Sequence, residues 1–278
     1  MKYTIGKFSE ILGVTVDTLR LYEKRGIIDP IKNKKNNYRY FDDLDAKKVL
    51  LSRWYKSLRI NLNDVADLVH NSSLPNIVQK IEKTRLDLEE KIRRDMFLLN
   101  KITEIQKEIS EIKSNLYQFR IKYLPGIYRL KHTNCQMLLE TPSKAEVSKW
   151  VNSFPYTFRC IRIKKESIFE EHSLNYTWGL AVLENELPLL DLKINNTIEY
   201  IRSQTYLSTI LLVNESDKCF SKSSIQFVLD YLKENGYSLA GDVIGKLIVT
   251  ETVGTSEQSY LELNMPVCNA KDSANESA

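Results

Sequence analysis

Tyr38, Arg39 and Tyr40 stand side by side, directly after a basic run that contains Lys34 and Lys35. A guanidinium and two phenol hydroxyls can all donate hydrogen bonds to phosphate oxygens, and lysines add an attraction that weakens with salt. Side chains alternate across a strand, so Tyr38 and Tyr40 are expected on one face and Arg39 on the other. All three reach one partner only if the strand end is bent or twisted. We predict that Arg39 binds a phosphate, beside Tyr38 or Tyr40, whereas Lys34 and Lys35 fit a phosphate contact and a solvated turn equally well.

A second group with this chemistry is Thr18, Arg20 and Tyr22, in the segment TLRLYE. The apolar spacing around it predicts two short helices, with Gly13 in the turn between them and Thr15 as the cap of the second. This is a helix-turn-helix pattern, whose second helix enters the major groove of DNA. Thr18, Arg20 and Tyr22 lie on or beside the exposed face of that helix, although Tyr22 also falls on the inward stripe. A tyrosine can pack by its ring and bond by its hydroxyl.

The elements that follow position these groups. Residues 27–41 have apolar or aromatic ends and an Asn-rich middle, which predicts a β-hairpin wing. Asp42 with Asp45, and Asn61 with Asp64, place a capping oxygen before an acidic third position. They predict a second helix pair at about 43–59 and 62–70.

A long helix is predicted from Pro75 to about Phe119, because no Gly or Pro interrupts that stretch and apolar residues recur at coiled-coil spacing. Such a helix needs a partner, most simply from a second copy of the chain. The alternative is a helix that lies over its own carboxyl-terminal domain. Pro125 and Gly126 end the predicted helix.

The remainder predicts two successive β-α-β-β units, a duplicated sheet domain with a groove between its halves. Their strands and helices are expected near residues 127–140, 143–152, 156–165 and 175–184, and then near 197–213, 222–235, 242–252 and 259–267. The expected fold class is α+β. The expected segments are a winged helix-turn-helix domain (1–74), a coiled-coil helix (75–124), a ligand-binding domain (125–267) and a disordered tail (268–278).

The distribution of charges, cysteines and apolar residues along the sequence limits the classes of function that the protein can have. Residues 1–70 contain 14 Lys and Arg against 9 Asp and Glu, whereas residues from 126 onward contain 15 against 19. A basic amino-terminal half suits a polyanion. The four cysteines are far apart with no C-x-x-C pair, which argues against a local metal site. No apolar run could span a membrane and no signal-peptide core begins the chain, so we expect a cytoplasmic protein with no membrane contact.

Three ordered motifs carry a resemblance to a known family. They are Thr18-Leu19-Arg20-Leu21-Tyr22-Glu23, Gly26-Ile27-Ile28-Asp29-Pro30 and Tyr38-Arg39-Tyr40-Phe41. Together they resemble the amino-terminal domain of MerR-type transcriptional regulators. The resemblance implies an antiparallel coiled-coil dimer that binds double-stranded promoter DNA and acts on RNA polymerase indirectly, by distorting the promoter spacer. The sequence departs from the family at Ile60-Asn61, where relatives usually carry Gly.

Residues 127–267 resemble the gyrase-inhibitor-like effector domain of multidrug-sensing members of that family. The resemblance implies a small lipophilic ligand, with cationic compounds among the candidates, and pocket-lining aromatic residues at Tyr156, Tyr176, Tyr206 and Tyr260. The glutamate that drug-binding relatives carry aligns with Gly245, and Glu251 and Glu262 are the nearest acidic replacements. Aromatic residues in strands are, however, more often core than pocket.

Two other functions stay open. A carboxyl-terminal domain with small-molecule hydrolase activity is one, since some isolated domains of this kind resemble hydrolases. The sequence shows no Ser-His-Asp or Cys-His arrangement, however, so we expect no enzyme, no catalytic or metal-binding residues and no cofactor. The second is a ligand-independent regulator whose effector domain has lost its pocket.

Overall fold

The computed structural model describes residues 2–33, 38–134, 137–140, 142–169, 174–214 and 222–269. The fold is α+β, as predicted, and the chain divides into two compact units, residues 1–97 and 98–278. The boundary falls inside the longest helix. No helix among the described residues is long and apolar enough to cross a membrane.

Among its described residues, the amino-terminal unit contains three short strands and four helices, followed by the start of a fifth. The elements are β1 (Tyr3–Thr4), α1 (Ile5–Leu12), α2 (Val16–Lys24), β2 (Ile31–Lys32), β3 (Arg39–Phe41), α3 (Asp43–Ser57), α4 (Leu62–Asn71) and α5 (Leu74–Ser110). The predicted wing is present, because β2 and β3 pair antiparallel and β1 joins the other side of β3. The wing packs on the helices through Phe41, whose ring stacks on Phe8 at 4.7 Å between centroids.

The predicted helix starts are confirmed by their caps. The Thr15 side chain accepts a hydrogen bond from the Thr18 amide, and the Asn61 side chain accepts one from the Asp64 amide. Asp42 and Asp45 form a complete capping box at the start of α3. Each cap satisfies amides that have no partner inside the helix. The short sequence signals therefore set these boundaries locally.

The turn between α3 and α4 holds Arg59 at φ 64°, in the left-handed region. A Cβ costs roughly 1–2 kcal/mol there, and glycine avoids the penalty. We therefore expect Arg59→Gly to raise the free energy of unfolding of the amino-terminal unit by about 1 kcal/mol, as measured by urea denaturation. Gly26 provides the opposite control, because it has φ 69° and open space around its Cα. Gly26→Ala should destabilise by a similar amount, and a stabilising Gly26→Ala would contradict the argument.

Helix α5 is shorter than predicted. It ends at Ser110, and a short helix α6 (Ile112–Asn115) follows. Residues 120–124 then form a strand that the helical spacing of this segment does not predict. The prediction failed because the last apolar residues of the expected seam pack inside the carboxyl-terminal unit: Ile112 is buried and the Phe119 ring stacks on Tyr231 at 3.7 Å.

The carboxyl-terminal unit is built on one large antiparallel sheet. Its elements after α6 are β4 (Arg120–Leu124), β5 (Ile127–Lys131), β6 (Thr133–Asn134), β7 (Met137–Leu138), α7 (Lys144–Asn152), β8 (Phe158–Ile163), α8 (Lys165–Phe169), β9 (Tyr176–Leu183), β10 (Ile198–Ile201), β11 (Gln204–Asn214), α9 (Gln226–Glu234), β12 (Tyr237–Leu239), β13 (Val243–Val253) and β14 (Ser256–Asn269). The predicted helices and long strands of both β-α-β-β units are present.

The strand order shows the internal duplication. It reads β10-β5-β9-β8-β13-β14-β11-β4, so the two halves meet at β8 and β13 in mirror-related order. The strand that precedes each half in the chain pairs with the other half. Strand β4, which precedes the first half, pairs with β11, and β10, which precedes the second half, pairs with β5. This exchange ties the halves into one sheet.

The two faces of this sheet differ in chemistry. Helices α7 and α9 cover one face through Trp150 and through Val228 and Leu232, which pack on apolar strand residues. We call the other side the polar face; the strand register places Arg129, Lys246, Glu262 and Ser208 on it. The polar face also carries a small apolar cluster around Cys160 and Ile244.

Candidate nucleic-acid interface

The exposed face of α2 carries two of the predicted contact residues. Thr18 lies in the first turn, where its hydroxyl is 2.8 Å from that of Thr15. Arg20 is largely exposed, and its guanidinium donates to the Asp17 carboxylate at 3.2 Å. Such a surface pair contributes little to stability, so Arg20 can exchange Asp17 for a phosphate or a base edge at small cost.

Tyr22 lies in the core rather than on this face. Its side chain packs in the same apolar cluster as Leu19 and Phe41, and only 4% of the residue is exposed. Burial raises the pKa of the Tyr22 hydroxyl, an effect that the positive charge of Arg53 partly offsets. The inward stripe of α2 therefore decides the position of this residue.

Arg39 in the wing is held by the last turn of α2. Its Nε donates to both carboxylate oxygens of Glu23, at 2.7 and 2.9 Å, and Lys32 approaches the same carboxylate at 3.9 Å. The Arg39 side chain is 43% exposed, whereas that of Glu23 is only 18% exposed. Glu23 thus orients Arg39 and links the wing to α2. No sequence rule connects two residues sixteen positions apart, so the role of Glu23 was not predicted.

The tyrosines beside Arg39 have different environments. Tyr38 is 62% exposed, whereas Tyr40 is half-buried between Thr4 and Ile31 on the neighbouring strands. Tyr38 and Arg39 therefore both offer surface at the beginning of β3. The predicted contacts at Lys34 and Lys35 lie outside the described residues.

The four tyrosines predicted to line a ligand pocket do not all meet. Tyr206 and Tyr260 lie on strand positions of the polar face, but Tyr206 is buried, with its hydroxyl 3.0 Å from the Gln204 amide nitrogen. Tyr176 lies on the opposite face and packs against the apolar cluster beneath α9. Tyr156 lies in the turn before β8.

The acidic candidates are also separated. Gly245 faces the helix-covered side, where an added Cβ would meet Leu261, Leu263 and Ile161 at 3.2–3.4 Å. An acidic side chain at position 245 would therefore point away from the polar face. Glu251 is exposed and accepts from the Tyr260 hydroxyl.

Glu262 is the buried acid of the polar face. Its carboxylate accepts from Lys122 at 2.9 Å and from Arg120 at 2.8 Å. Burial alone would raise the pKa of this carboxyl, but Lys122 and Arg120 outweigh burial and hold the pKa below its ordinary value. Glu262 is therefore ionised and neutralised within the protein. Among the described residues, no group of three or more His, Cys, Asp or Glu side chains could hold a metal ion.

Comparisons with known proteins match this geometry at the amino terminus. Residues 4–41 match the family described as "MerR family regulatory protein". The chain is 23% identical over 109 residues, 39% of its length and 79% of the relative's, to the HTH-type transcriptional regulator ZntR homolog of Haemophilus influenzae. It is 24% identical over 110 residues, 40% of its length and 73% of the relative's, to the HTH-type transcriptional regulator CueR of Escherichia coli O157:H7.

A solved structure described as an EcmrR-DNA complex in EcmrR-RPo aligns with 96% of this chain and 100% of its own, at 18% identity and a TM-score of 0.38. A TM-score of 0.38 supports no conclusion about relationship, so the identification rests on the sequence matches. Those matches cover α1, α2 and the wing, where Thr18, Arg20 and Arg39 lie. Residues 4–41 are therefore a MerR-family helix-turn-helix segment, and over about two fifths of its length the chain is similar to HTH-type transcriptional regulators.

Proposed function

We propose that the protein works as a homodimer that binds a two-fold symmetric promoter site and changes transcription in response to a small ligand. The observation that carries the proposal is the shared surface of α2 and the wing. Thr18 and Arg20 are available to the major groove, and Glu23 holds Arg39 beside them for a phosphate. Specific DNA binding needs both kinds of contact, since phosphates fix the register and base edges give the sequence.

Helix α5 supports the dimer. The structure describes all 37 of its residues and none is buried, although many are apolar. Leu88, Ile92, Leu99, Ile102 and Ile109 are between 38% and 62% exposed. A helix of about 55 Å with an exposed apolar seam gains most of its stability from a partner helix. A second copy of α5 in antiparallel orientation would bury this seam and give the two-fold symmetry that a pseudo-palindromic site requires.

The proposed action is deformation of promoter DNA. Distorting the spacer between promoter elements costs a few kcal/mol, which phosphate contacts such as that of Arg39 can offset. The distortion would let RNA polymerase engage both elements without touching the regulator. A ligand in the carboxyl-terminal unit would shift this balance by its differential affinity for the two conformations.

A footprint on the promoter of the protein's own or a neighbouring gene tests the proposal. We expect protection of two half-sites on one face of the duplex, with enhanced cleavage between them where the spacer is distorted. Protection of a single half-site by a monomer would contradict the dimer, and transcription that no compound changes would contradict the ligand response.

Arg39→Ala should weaken binding to specific and nonspecific DNA alike. A phosphate contact releases condensed counterions, so its loss should reduce the slope of log K against log salt by roughly 0.9. Fluorescence anisotropy at several salt concentrations measures this slope. The matched control is Arg202→Ala, which removes the same charge from an exposed position between β10 and β11. An Arg39→Ala slope equal to that of Arg202→Ala would exclude a phosphate role.

A further inference from the structure

A cleft lies within the carboxyl-terminal unit, between the last turns of α5 and the polar face of the sheet. Its volume is about 300 Å³, at the lower end of small-molecule sites. Ile105, Leu183 and Ile210 supply apolar walls, and charged side chains supply most of the remaining lining. The cleft is therefore large enough for one flat ring system with a charged substituent.

The charges in this cleft come from the sheet and from the helix. The sheet side carries three cations, Arg120 and Lys122 on β4 and Lys246 on β13. The helix side carries Glu104, Glu108 and Glu111 together with Lys101 and Lys107. Lys101 lies 3.6 Å from Glu104 and Lys107 lies 3.9 Å from Glu111, so these four charges balance on the helix and Glu108 is left to face the sheet. Glu262 is the carboxylate of the polar face nearest these cations, and it neutralises only one of them. The sheet side thus keeps a net positive charge.

A cationic ligand would gain little from the sheet side of the cleft. Glu262 already accepts from both Lys122 and Arg120, and only 3% of its side chain is exposed. A cation could reach Glu262 only by displacing two charges of the same sign. An anion can contact the sheet side directly, because the three cations there face the cleft and their side chains are each between 29% and 40% exposed.

The protein already places a carboxylate at this position. Glu108 receives the Lys246 ammonium on both oxygens, at 2.6 and 2.7 Å. The same ammonium lies 5.6 Å from the centre of the Phe158 ring, a cation-π distance. Lys246 therefore holds an internal anion next to an aromatic ring and to the apolar walls of the cleft.

From this arrangement we propose that the ligand is an aromatic carboxylate, which binds in the cleft and displaces Glu108 from Lys246. Its carboxylate takes the place of Glu108 on Lys246, and its ring packs on Ile105, Leu183 and Ile210. Because Glu108 belongs to α5, the displacement removes the ion pair that joins the end of this helix to β13. This ligand class rests on the ligand response put forward under the proposed function.

Direct binding to the full-length protein tests the ligand class without DNA. The probes are 1-naphthaleneacetate, neutral 1-naphthalenemethanol and cationic 1-naphthalenemethylammonium, which share one ring system, and isothermal titration calorimetry gives each affinity. We expect the anion to bind at least tenfold more tightly than the cation, as a charge-assisted hydrogen bond would give. A cation that binds as tightly as the anion, or a failure of all three probes to bind, would overturn the proposal.

Two variants locate the site. Lys246→Gln should reduce the affinity for naphthaleneacetate about tenfold and leave that for naphthalenemethanol unchanged. Glu108→Gln should raise the affinity for the anion several-fold, because the internal competitor is weakened. The control Lys233→Gln removes an exposed charge from α9, on the other side of the sheet. Lys246→Gln binding equal to that of Lys233→Gln would place the anion elsewhere.

The two proposals fail separately. Naphthaleneacetate that binds with these dependences but changes neither the footprint nor transcription would contradict the ligand response and leave the anion site standing. Transcription that responds to cationic compounds, together with no binding of the anion in the cleft, would contradict the anion site and leave the ligand response standing.

Discussion

Replacing Leu99 and Ile102 together with lysine is expected to convert the dimer into a monomer and to lower promoter affinity at least a hundredfold. Both side chains are apolar and at least half exposed on α5. In the antiparallel pair they would be buried, and two lysines per chain would place four unpaired charges in the seam. Without the link between two DNA-binding domains, the second half-site no longer benefits from a high local concentration, which is commonly worth a factor of 10²–10⁴.

Sedimentation equilibrium and anisotropy on the two-fold site measure both effects. The matched control is Asn100→Lys with Thr103→Lys, which adds the same charge one residue further along the same exposed helix. A rotation of about 100° per residue moves these lysines off the apolar seam. A Leu99/Ile102 variant that stays dimeric would exclude α5 as the dimer interface, and a loss of dimer in the control would attribute the effect to charge alone.

Glu262→Gln should lower the free energy of unfolding of the carboxyl-terminal unit by about 2 kcal/mol at neutral pH. Removing one partner of a fully buried ion pair costs 3–5 kcal/mol, but Arg120 and Lys122 are 40% and 34% exposed, so water compensates them in part. The neutral amide still accepts one hydrogen bond, although it cannot balance two positive charges.

The same variant should change the response to acid. The folded-state pKa of Glu262 lies below its ordinary value of 4.5. The contribution of Glu262 to the free energy of unfolding is therefore complete above pH 4.5 and is lost as the pH falls toward the folded-state pKa. The natural protein should therefore lose stability below about pH 4.5 more steeply than Glu262→Gln. Glu251→Gln is the control, since Glu251 is exposed on the neighbouring strand.

Urea denaturation followed by tryptophan fluorescence gives these values. Both variants are best compared in a Trp54→Phe background, because Trp150 and Trp178 then report on the carboxyl-terminal unit alone. Equal stability and equal acid dependence in Glu262→Gln and Glu251→Gln would show that the Lys122–Glu262–Arg120 cluster contributes nothing net.

Local elements were predictable because short-range forces determine them. The cap residues Thr15, Asp42 and Asn61 bind amides two or three residues away, so sequence spacing alone locates the helix starts. The left-handed turn before α4 is an exception, because the structure places the strained conformation at Arg59, a residue type that does not signal it in the sequence.

The limits of the long helix were not predictable in this way. Apolar residues at positions 112 and 119 continue the coiled-coil spacing, but burial against the carboxyl-terminal unit outweighs that periodicity. The missed strand β4 forms because β11 offers it an unpaired edge, more than eighty residues later in the chain. Periodicity describes the face a segment could bury, and only packing selects the surface that buries it.

The sequence by itself determined the helix-turn-helix, the wing and the doubled order of the sheet domain, because these rest on residues close together along the chain. The tertiary structure decided the chemistry of the candidate DNA-binding surface and of the cleft in the carboxyl-terminal unit. It placed Glu23 on Arg39, buried Tyr22 and Tyr206, turned Gly245 away from the polar face and brought Lys246 to Glu108 across 138 residues. Charge pairing depends on distance in space, and no spacing rule in the sequence encodes that distance.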